Sequence, residues 1–249
     1  MGRDVPEDGR IYPEFSYTDS VKPVPELGTD ITQTVTHEHF GPAYKFVVGI
    51  DFGQMTSAAI VLRAYKAPGE GKSERLWYAV DEFTSRDKTT EWLIAEILRR
   101  YAPTDFIAIG DPHVKDGKEV DRSDYTMTRH AGINIVRASS KTISVKHRYN
   151  MVNALLNDAS GKRRLFVART ANGRPACDKL SESFGHLKFA ASGRVDNKRK
   201  GPEDMTHWSD AIGYALFPFE KLRGADSMSP VSANDRFMSE RWFDNKGRK

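Results

Sequence analysis

The stretch Phe46–Leu62, FVVGIDFGQMTSAAIVL, decides how the rest of the chain is read. Val47, Val48 and Ile50 form a short, mostly β-branched run, the pattern of a strand buried on both faces. Gly53 and the turn Gln54-Met55-Thr56 lead into a second apolar run, Ala58–Leu62, so the two runs predict a hairpin. One carboxylate, Asp51, interrupts the first run. An acid in a buried strand is costly unless donors or a cation meet it. Two readings of Asp51 stand here: an acid at a strand end bonded to the backbone of the next turn, or an acid of a metal or phosphate site.

Outward from the hairpin (about 45–63), Arg75–Phe83 (RLWYAVDEF) alternates as a third strand and ends on Asp81 and Glu82. Thr89 or Thr90 can cap a helix whose Leu93, Ile94, Ile97, Leu98 and Tyr101 recur at helical spacing, and Pro103 closes it. Phe106–Ile109 (FIAI) is a short, wholly apolar fourth strand ended by Gly110-Asp111-Pro112. An acid just past the carboxyl end of a buried strand lies where open α/β sheets place ligands, although an acid starting a turn is the ordinary alternative. Residues 113–129 read as a polar loop with a helical turn, and Gly132–Ala138 as a short strand. Ser144 caps a second helix with Val145, Tyr149, Val152 and Leu156 on one face. Leu165–Ala168 is another strand, and a helix over Pro175–Phe184 is expected to begin at its proline. After a basic loop or hairpin (Leu187–Pro202), the last helix covers Ser209–Phe217, with Ala211, Ile212, Ala215 and Leu216 inward.

This order predicts an α/β fold: a mixed sheet with an antiparallel hairpin edge and flanking helices, the layout of a ribonuclease-H-like domain over 45–222. Residues 1–44, with Pro6, Pro13, Pro23, Pro25 and Pro42, read as an extended linker in which only GRIYPEF (Gly9–Phe15) is expected to pack. Residues 223–249 lack periodicity and are expected to be a flexible tail.

Composition bounds the function. The chain has 249 residues, 39% hydrophobic and 29% charged, enough for one sizeable core and unlike a disordered chain. No apolar run approaches the roughly 20 residues that cross a bilayer, so no membrane partner is expected. The N-terminus is too polar for a secretory signal. The single cysteine, Cys177, excludes an internal disulfide framework and a cysteine zinc site, which makes a reducing, cytoplasmic setting the default. Net charge is +4, with Lys and Arg concentrated in Lys141–Arg148, Lys162–Arg164 and Arg194–Lys200. Such segments suit a polyanion, or are simply solvated loops.

Three acids stand out by position: Asp51 on the first strand, Asp111 after the fourth and Asp210 on the last helix. If the first strand is central with the fourth beside it, Asp51 and Asp111 become neighbours, and a helix packed across that edge adds Asp210. Carboxylates so grouped repel one another, which implies bound divalent cations. All-oxygen ligation suits Mg²⁺ or Mn²⁺. Two ions roughly 3.5–4 Å apart can activate water and stabilise a leaving 3′-oxygen. His207, three residues before Asp210, can ligate or shuttle a proton, or can be an exposed histidine at a helix start. Glu82 is a fourth candidate metal ligand behind the three aspartates, and Asp81 alternates to the other face. Lys188, Arg194, Lys198, Arg199 and Lys200, with Lys141 and Lys146, are the candidate DNA-phosphate contacts.

With these residues on the page, the chain resembles the C-terminal nuclease domain of the large terminase subunit of tailed bacteriophages, from Gly9 to about Phe219. GRIYPEF resembles the segment leading into that domain, VVGIDFG its first motif, and YAVDEF with TTEWLIAEIL its next strand–helix unit. IAIGDPH is similar to the strand carrying the second catalytic aspartate, and INIVRASSKTISVKHRYNMVNALL, RLFVA and the Cys-bearing helix to the middle section. THWSDAIGYAL resembles the closing motif. The resemblance implies a metal-dependent DNA endonuclease that cuts concatemeric viral double-stranded DNA during packaging in the host cytoplasm. It assigns the catalytic aspartates to Asp51, Asp111 and Asp210 and the motif histidine to His207. It also implies a portal protein and a small terminase subunit as partners. The family's ATPase motor has no counterpart, because no G-x-x-x-x-G-K-[ST] pattern occurs. An isolated domain, a shortened chain and a stand-alone member are all consistent with that.

Three rival readings remain. GIDFGQMTSAAIVL also resembles the first phosphate loop of sugar kinases, actin and heat-shock ATPases, which need a second glycine-rich motif that is not evident. Another ribonuclease-H-like nuclease, such as a junction resolvase, would use the same acids. A DNA-binding or docking module without catalysis is opposed by the presence of all three acids.

Overall fold

The computed structural model describes residues 9–24, 44–53, 56–66, 75–86, 88–112, 124–139, 143–189, 195 and 204–220. The elements are β1 (Val21–Pro23), β2 (Phe46–Asp51), β3 (Ala58–Lys66), β4 (Arg75–Thr84), β5 (Phe106–Gly110), β6 (Ile135–Arg137) and β7 (Leu165–Arg169). The helices are α1 (Tyr17–Ser20), α2 (Thr90–Arg100), α3 (Asp124–His130), α4 (Val145–Leu156), α5 (Asp178–His186) and α6 (Thr206–Leu216). The strands make one mixed sheet in the order β1-β7-β4-β3-β2-β5-β6. β2, β3 and β4 pair antiparallel, and β5, β6, β7 and β1 join parallel on either side. The antiparallel strands expected at an edge therefore have β7 and β1 beyond them.

Side-chain alternation divides the core into two layers. Val47, Ala58, Ile60, Leu62, Ile107 and Ile109 face α4, α5 and α6, whereas Val48, Ile50, Ala59, Val61 and Ala108 face α2 and α3. Helices on both faces explain why β2 and β5 are nearly continuous apolar runs. Among the described residues no helix is long and apolar enough to cross a membrane.

The proline-bearing N-terminal segment does more than lead in. Ile11, Tyr12 and Phe15 are buried, Asn153 of α4 donates to the Ile11 carbonyl at 2.7 Å, and β1 adds a parallel edge strand to β7. Pro23 ends that strand, the position at which a missing N–H costs least. Pro175 does not start α5: it bridges Arg169, the Ala176 amide bonds the Ala168 carbonyl, and the helix begins at Asp178. The expected tail, 223–249, lies outside the described residues.

A register shift near Val61 has a larger effect. Val61 pairs with Asp81 but Leu62 with Ala79, so Val80 is an extra residue in β4. The bulge reverses the alternation. Trp77 and Ala79 face the α6 layer before it, and Glu82 and Thr84 after it, while Asp81 is turned to Arg100 and Tyr101 of the α2 layer. Thr84 then accepts from Trp208 Nε1 at 3.1 Å, tying α6 to β4.

α6 crosses the sheet at Gly49 of β2. A Cβ there would fall 2.0 Å from the Ala211 carbonyl oxygen and 2.8 Å from the Ala215 Cβ. Only glycine facing alanine permits this approach. Gly49→Ala is expected to destabilise the fold by about 3 kcal/mol, the cost of over-packing a core with no flexible side chain to give way. Urea midpoints measure this, and a loss within about 1 kcal/mol would mean that the helix can slide.

Candidate active site

β2 and β5 run parallel, with Ile50 opposite Gly110, so Asp51 and Asp111 leave adjacent strands at the same end of the sheet. Both follow residues of the α6 layer in alternation, and α6 crosses above them. Its first turns bring His207 and Asp210 to that edge, where unpaired helix N–H groups favour negative charge. Asp204 accepts from the Thr206 amide at 2.9 Å at the start of α6, which begins three residues before the Ser209 expected from its apolar spacing.

The contacts are short and charged. The His207 ring nitrogen Nδ1 lies 2.6 Å from Asp51 Oδ2. Arg148 of α4 donates from Nη2 to Asp210 Oδ1, also at 2.6 Å. Burial pushes the Asp51 carboxyl above its usual range; His207 opposes this and the charge of Asp111 adds to it. Burial, with repulsion from Asp51, raises Asp210 to about 6 despite Arg148. Burial works against charge on His207, but Asp51, Asp204 and Asp210 outweigh it and raise the imidazole above its usual value. Burial raises the carboxyls of Asp51 and Asp210 despite His207 and Arg148, a strain that an added cation would relieve.

The turn after β2 is committed to seating His207. A Cβ at Gly53 would lie 2.1 Å from the Thr56 carbonyl and 2.9 Å from His207 Cε1. The Gly53 amide donates to Ser57 Oγ at 3.2 Å, and Ser57 and Ser85 lock the two strand ends together. The Gly53 amide is thus spent within its own turn.

Asp111 is half-buried, and Tyr125 donates to its backbone carbonyl at 3.0 Å, helped by Gly110, where a Cβ would meet the Tyr125 hydroxyl at 2.6 Å. Asp51, Asp111, His207 and Asp210 therefore share one edge. Among the described residues, no group of three His, Cys, Asp or Glu is placed so that it could hold a metal ion. By chemical type alone, carboxylate oxygens suit a hard divalent ion such as Mg²⁺.

Glu82 does not join them. Its carboxylate accepts from the Lys179 and Leu180 amides at 2.8 and 3.0 Å and so caps α5, which has no side-chain cap of its own. The bulge puts Glu82 on the correct face, but both its oxygens are spent on a helix end. The expectation of Glu82 as a metal ligand is corrected on this geometry. Lys146 and Lys188 are exposed, and Lys141, Arg194, Lys198, Arg199 and Lys200 lie outside the described residues.

Arg148 is the residue that sequence reasoning missed. A signal exists: it falls on the same helical stripe as Val145, Tyr149, Val152 and Leu156, so a cation occupies a core position of α4.

No family model matches the sequence, and no curated protein matches it. Among solved structures, the chain is similar to the nuclease domain of the large terminase of P22. The identity is 14%, the match covers 88% of this chain and 98% of that one, and the TM-score is 0.56. It is also similar to the nuclease domain of the large terminase, g2p, of bacteriophage SPP1 with bound Mn, at 17% identity, 72% and 86% coverage and a TM-score of 0.44. At such identities the P22 likeness establishes the fold: this chain has the ribonuclease-H-like fold of a large-terminase nuclease domain.

Two outcomes test the site. Glu82→Ala is expected to cost about 1–2 kcal/mol in urea, the value of a helix cap, with Mn²⁺ affinity unchanged; weakened Mn²⁺ binding at unchanged stability would return Glu82 to the metal site. For Asp210, a carboxyl raised from 3.8 to about 6 holds its proton longer in the folded state, so its ionisation lowers stability as pH climbs between those values. Asp210→Asn escapes that loss. Its stability relative to the parent is expected to improve by roughly 2 kcal/mol between pH 4 and pH 7. A pH-independent difference would refute the burial of this charge.

Proposed function

We infer that the chain is a divalent-metal-dependent endonuclease acting on double-stranded DNA. The observation that carries this reading is the convergence of Asp51 and Asp111, from adjacent parallel strands, with Asp210 and His207 from α6. Asp51, Asp111 and Asp210 would hold Mg²⁺ or Mn²⁺. Bound there, a divalent ion supplies an activated water and stabilises the leaving 3′-oxygen of a phosphodiester. His207 is oriented by Asp51 through Nδ1, which leaves Nε2 as the ring atom that exchanges a proton with water or the leaving group. A raised imidazole paired with a carboxylate is well placed to hold that proton near neutral pH.

Double-stranded DNA as the polyanion is supported by exposed Lys146 in the first turn of α4 and Lys188 beside the Arg10 bridge. Phe189 pairs with Val195 and packs edge-on against Tyr149, next to Arg148, so the base of the basic segment adjoins the helix that serves the site. Lys141, Arg194, Lys198, Arg199 and Lys200 would extend this contact along the phosphates. On the terminase-like fold, the biological role is cutting concatemeric viral DNA during packaging in the host cytoplasm, with a portal protein and a small terminase subunit as partners.

Purified protein is expected to nick and linearise supercoiled plasmid in Mn²⁺ or Mg²⁺ and to be inactive in EDTA. Asp51→Asn and Asp210→Asn each remove a ligand from a centre worth several kcal/mol in the transition state, so initial rates should fall by roughly a thousandfold. Cutting by Asp51→Asn at the parental rate would overturn the assignment.

A further inference from the structure

We propose that Arg129 and Arg137 form a second phosphate-binding arm for double-stranded DNA, on the side of the sheet edge opposite α6. The proposal rests on the nuclease reading above and names further residues that hold the duplex across that site.

The two arginines come from different elements and meet on one ring. Arg129 lies in the last turn of α3, and Arg137 ends β6. Their guanidinium carbons stand 5.6 and 5.8 Å from the centroid of the Tyr125 ring. Both arginines are exposed, whereas Tyr125 is buried. A guanidinium is attracted to the face of an aromatic ring, so each side chain is ordered while its residue remains at the surface.

Tyr125 is itself fixed to the edge. Its hydroxyl donates to the Asp111 backbone carbonyl at 3.0 Å, and Phe52, the residue after Asp51, packs against its ring at 5.8 Å. Arg137 is opposite Gly110 in the β5–β6 register, and the Ala138 amide donates to the Gly110 carbonyl at 3.0 Å. Neighbouring strands stand about 5 Å apart, so Arg137 is one strand away from the end of β5 that carries Asp111. The arm therefore keeps a set position relative to the ends of β2 and β5.

Layer and charge give the arm its direction. Tyr125 of α3 packs on the layer of Val48, Ile50 and Ala108, and α6 packs on the other. His207 and Asp210 border the edge from one face, and Arg129 and Arg137 border it from the opposite one. Asp124, the acid in the first turn of α3, accepts from the Thr90 hydroxyl of α2 and is engaged there. His130 is exposed beside Arg129. The planar fork of arginine matches phosphate oxygens, and two forks ordered on one ring lose little freedom on gripping a backbone. Lys146 belongs to α4, on the α6 side, so a duplex held from both faces has its scissile bond centred at the acids. Such contacts position the duplex without reading its bases.

Binding of a fluorescein-labelled DNA duplex to the full chain in EDTA, followed by anisotropy over a series of KCl concentrations, tests the arm. Each phosphate contact contributes about 0.9 to the slope of log affinity against log salt. Arg129→Gln and Arg137→Gln are each expected to weaken binding and to lower the slope by about that amount. Arg129→Lys and Arg137→Lys keep the charge and should keep the slope. Arg99→Gln, in the last turn of α2 at the far end of the sheet, should leave it unchanged. In Mn²⁺-dependent plasmid cutting the glutamine variants should raise KM several-fold at near-parental kcat. Unchanged slopes in the glutamine variants overturn the proposal, as does an equal fall for Arg99→Gln or a fall in kcat at constant KM. If circular dichroism finds Arg137→Gln unfolded, Arg129→Gln, exposed on α3, decides. A parent that binds and cuts while both glutamine variants match it overturns this inference alone; a parent that neither binds the duplex nor cuts plasmid overturns the nuclease reading with it.

Discussion

The approach of α6 to β2 at Gly49 is the constraint on which the site depends. A helix normally stands off a sheet by the thickness of two side-chain layers. Here the missing Cβ of Gly49 and the small Ala211 and Ala215 remove that thickness at one point. The helix is drawn down over the carboxyl end of β2, and Trp208 anchors it sideways to Thr84. His207 and Asp210, one turn apart, then reach the acids of β2 and β5. A helix lifted by one methyl would separate groups that are now 2.6 Å apart.

That closeness has an electrostatic cost, and the chain meets it with two cations of different kinds. Arg148 keeps its proton at any accessible pH, is buried, and is fixed by Tyr214 and Gly213. His207 is titratable, partly exposed and seated on the Gly53 turn. One supplies a constant field at Asp210 and the other a charge that follows pH at Asp51. Neither cation neutralises the site alone, which is why burial still lifts both Asp51 and Asp210.

Much of this was legible in the chain. Apolar runs with a single acid at the end mark β2 and β5, and helical spacing marks α2, α4 and α6. The pairing of Asp51 with Asp111 follows once the two strands are neighbours. The rest depended on details that periodicity does not carry. The bulge at Val80 reverses which of Asp81 and Glu82 faces α6, and an extra residue in a strand leaves no mark in an alternation already broken by two acids. Pro175 resembles a helix start, yet the Ala176 amide bonds back to Ala168 and delays α5 by three residues. β1 is three residues long, too short for any repeat to appear, and its place is set by Ile11, Tyr12 and Phe15 packing beneath α4 and α5. Arg148 shows only as a charged residue on an apolar stripe, a pattern that the long stem of arginine also produces when it lies along a surface.

Glu82 and Asp51 make the general point about acids read from sequence. Both lie at or near the end of a strand, both face the α6 layer, and burial pushes both carboxyls up. Their partners separate them. Glu82 meets two amides of α5, donors that are fixed in number and cannot be exchanged, so its charge is consumed in holding a helix end. Asp51 meets an imidazole that can release its proton and a second acid on the neighbouring strand. An acid that caps a helix through both oxygens is held to that helix end, whereas one balanced against a titratable base and a like charge has partners whose charge can change. Position and burial alone do not distinguish chemistry from structure at this sheet edge; the replaceability of the partner does.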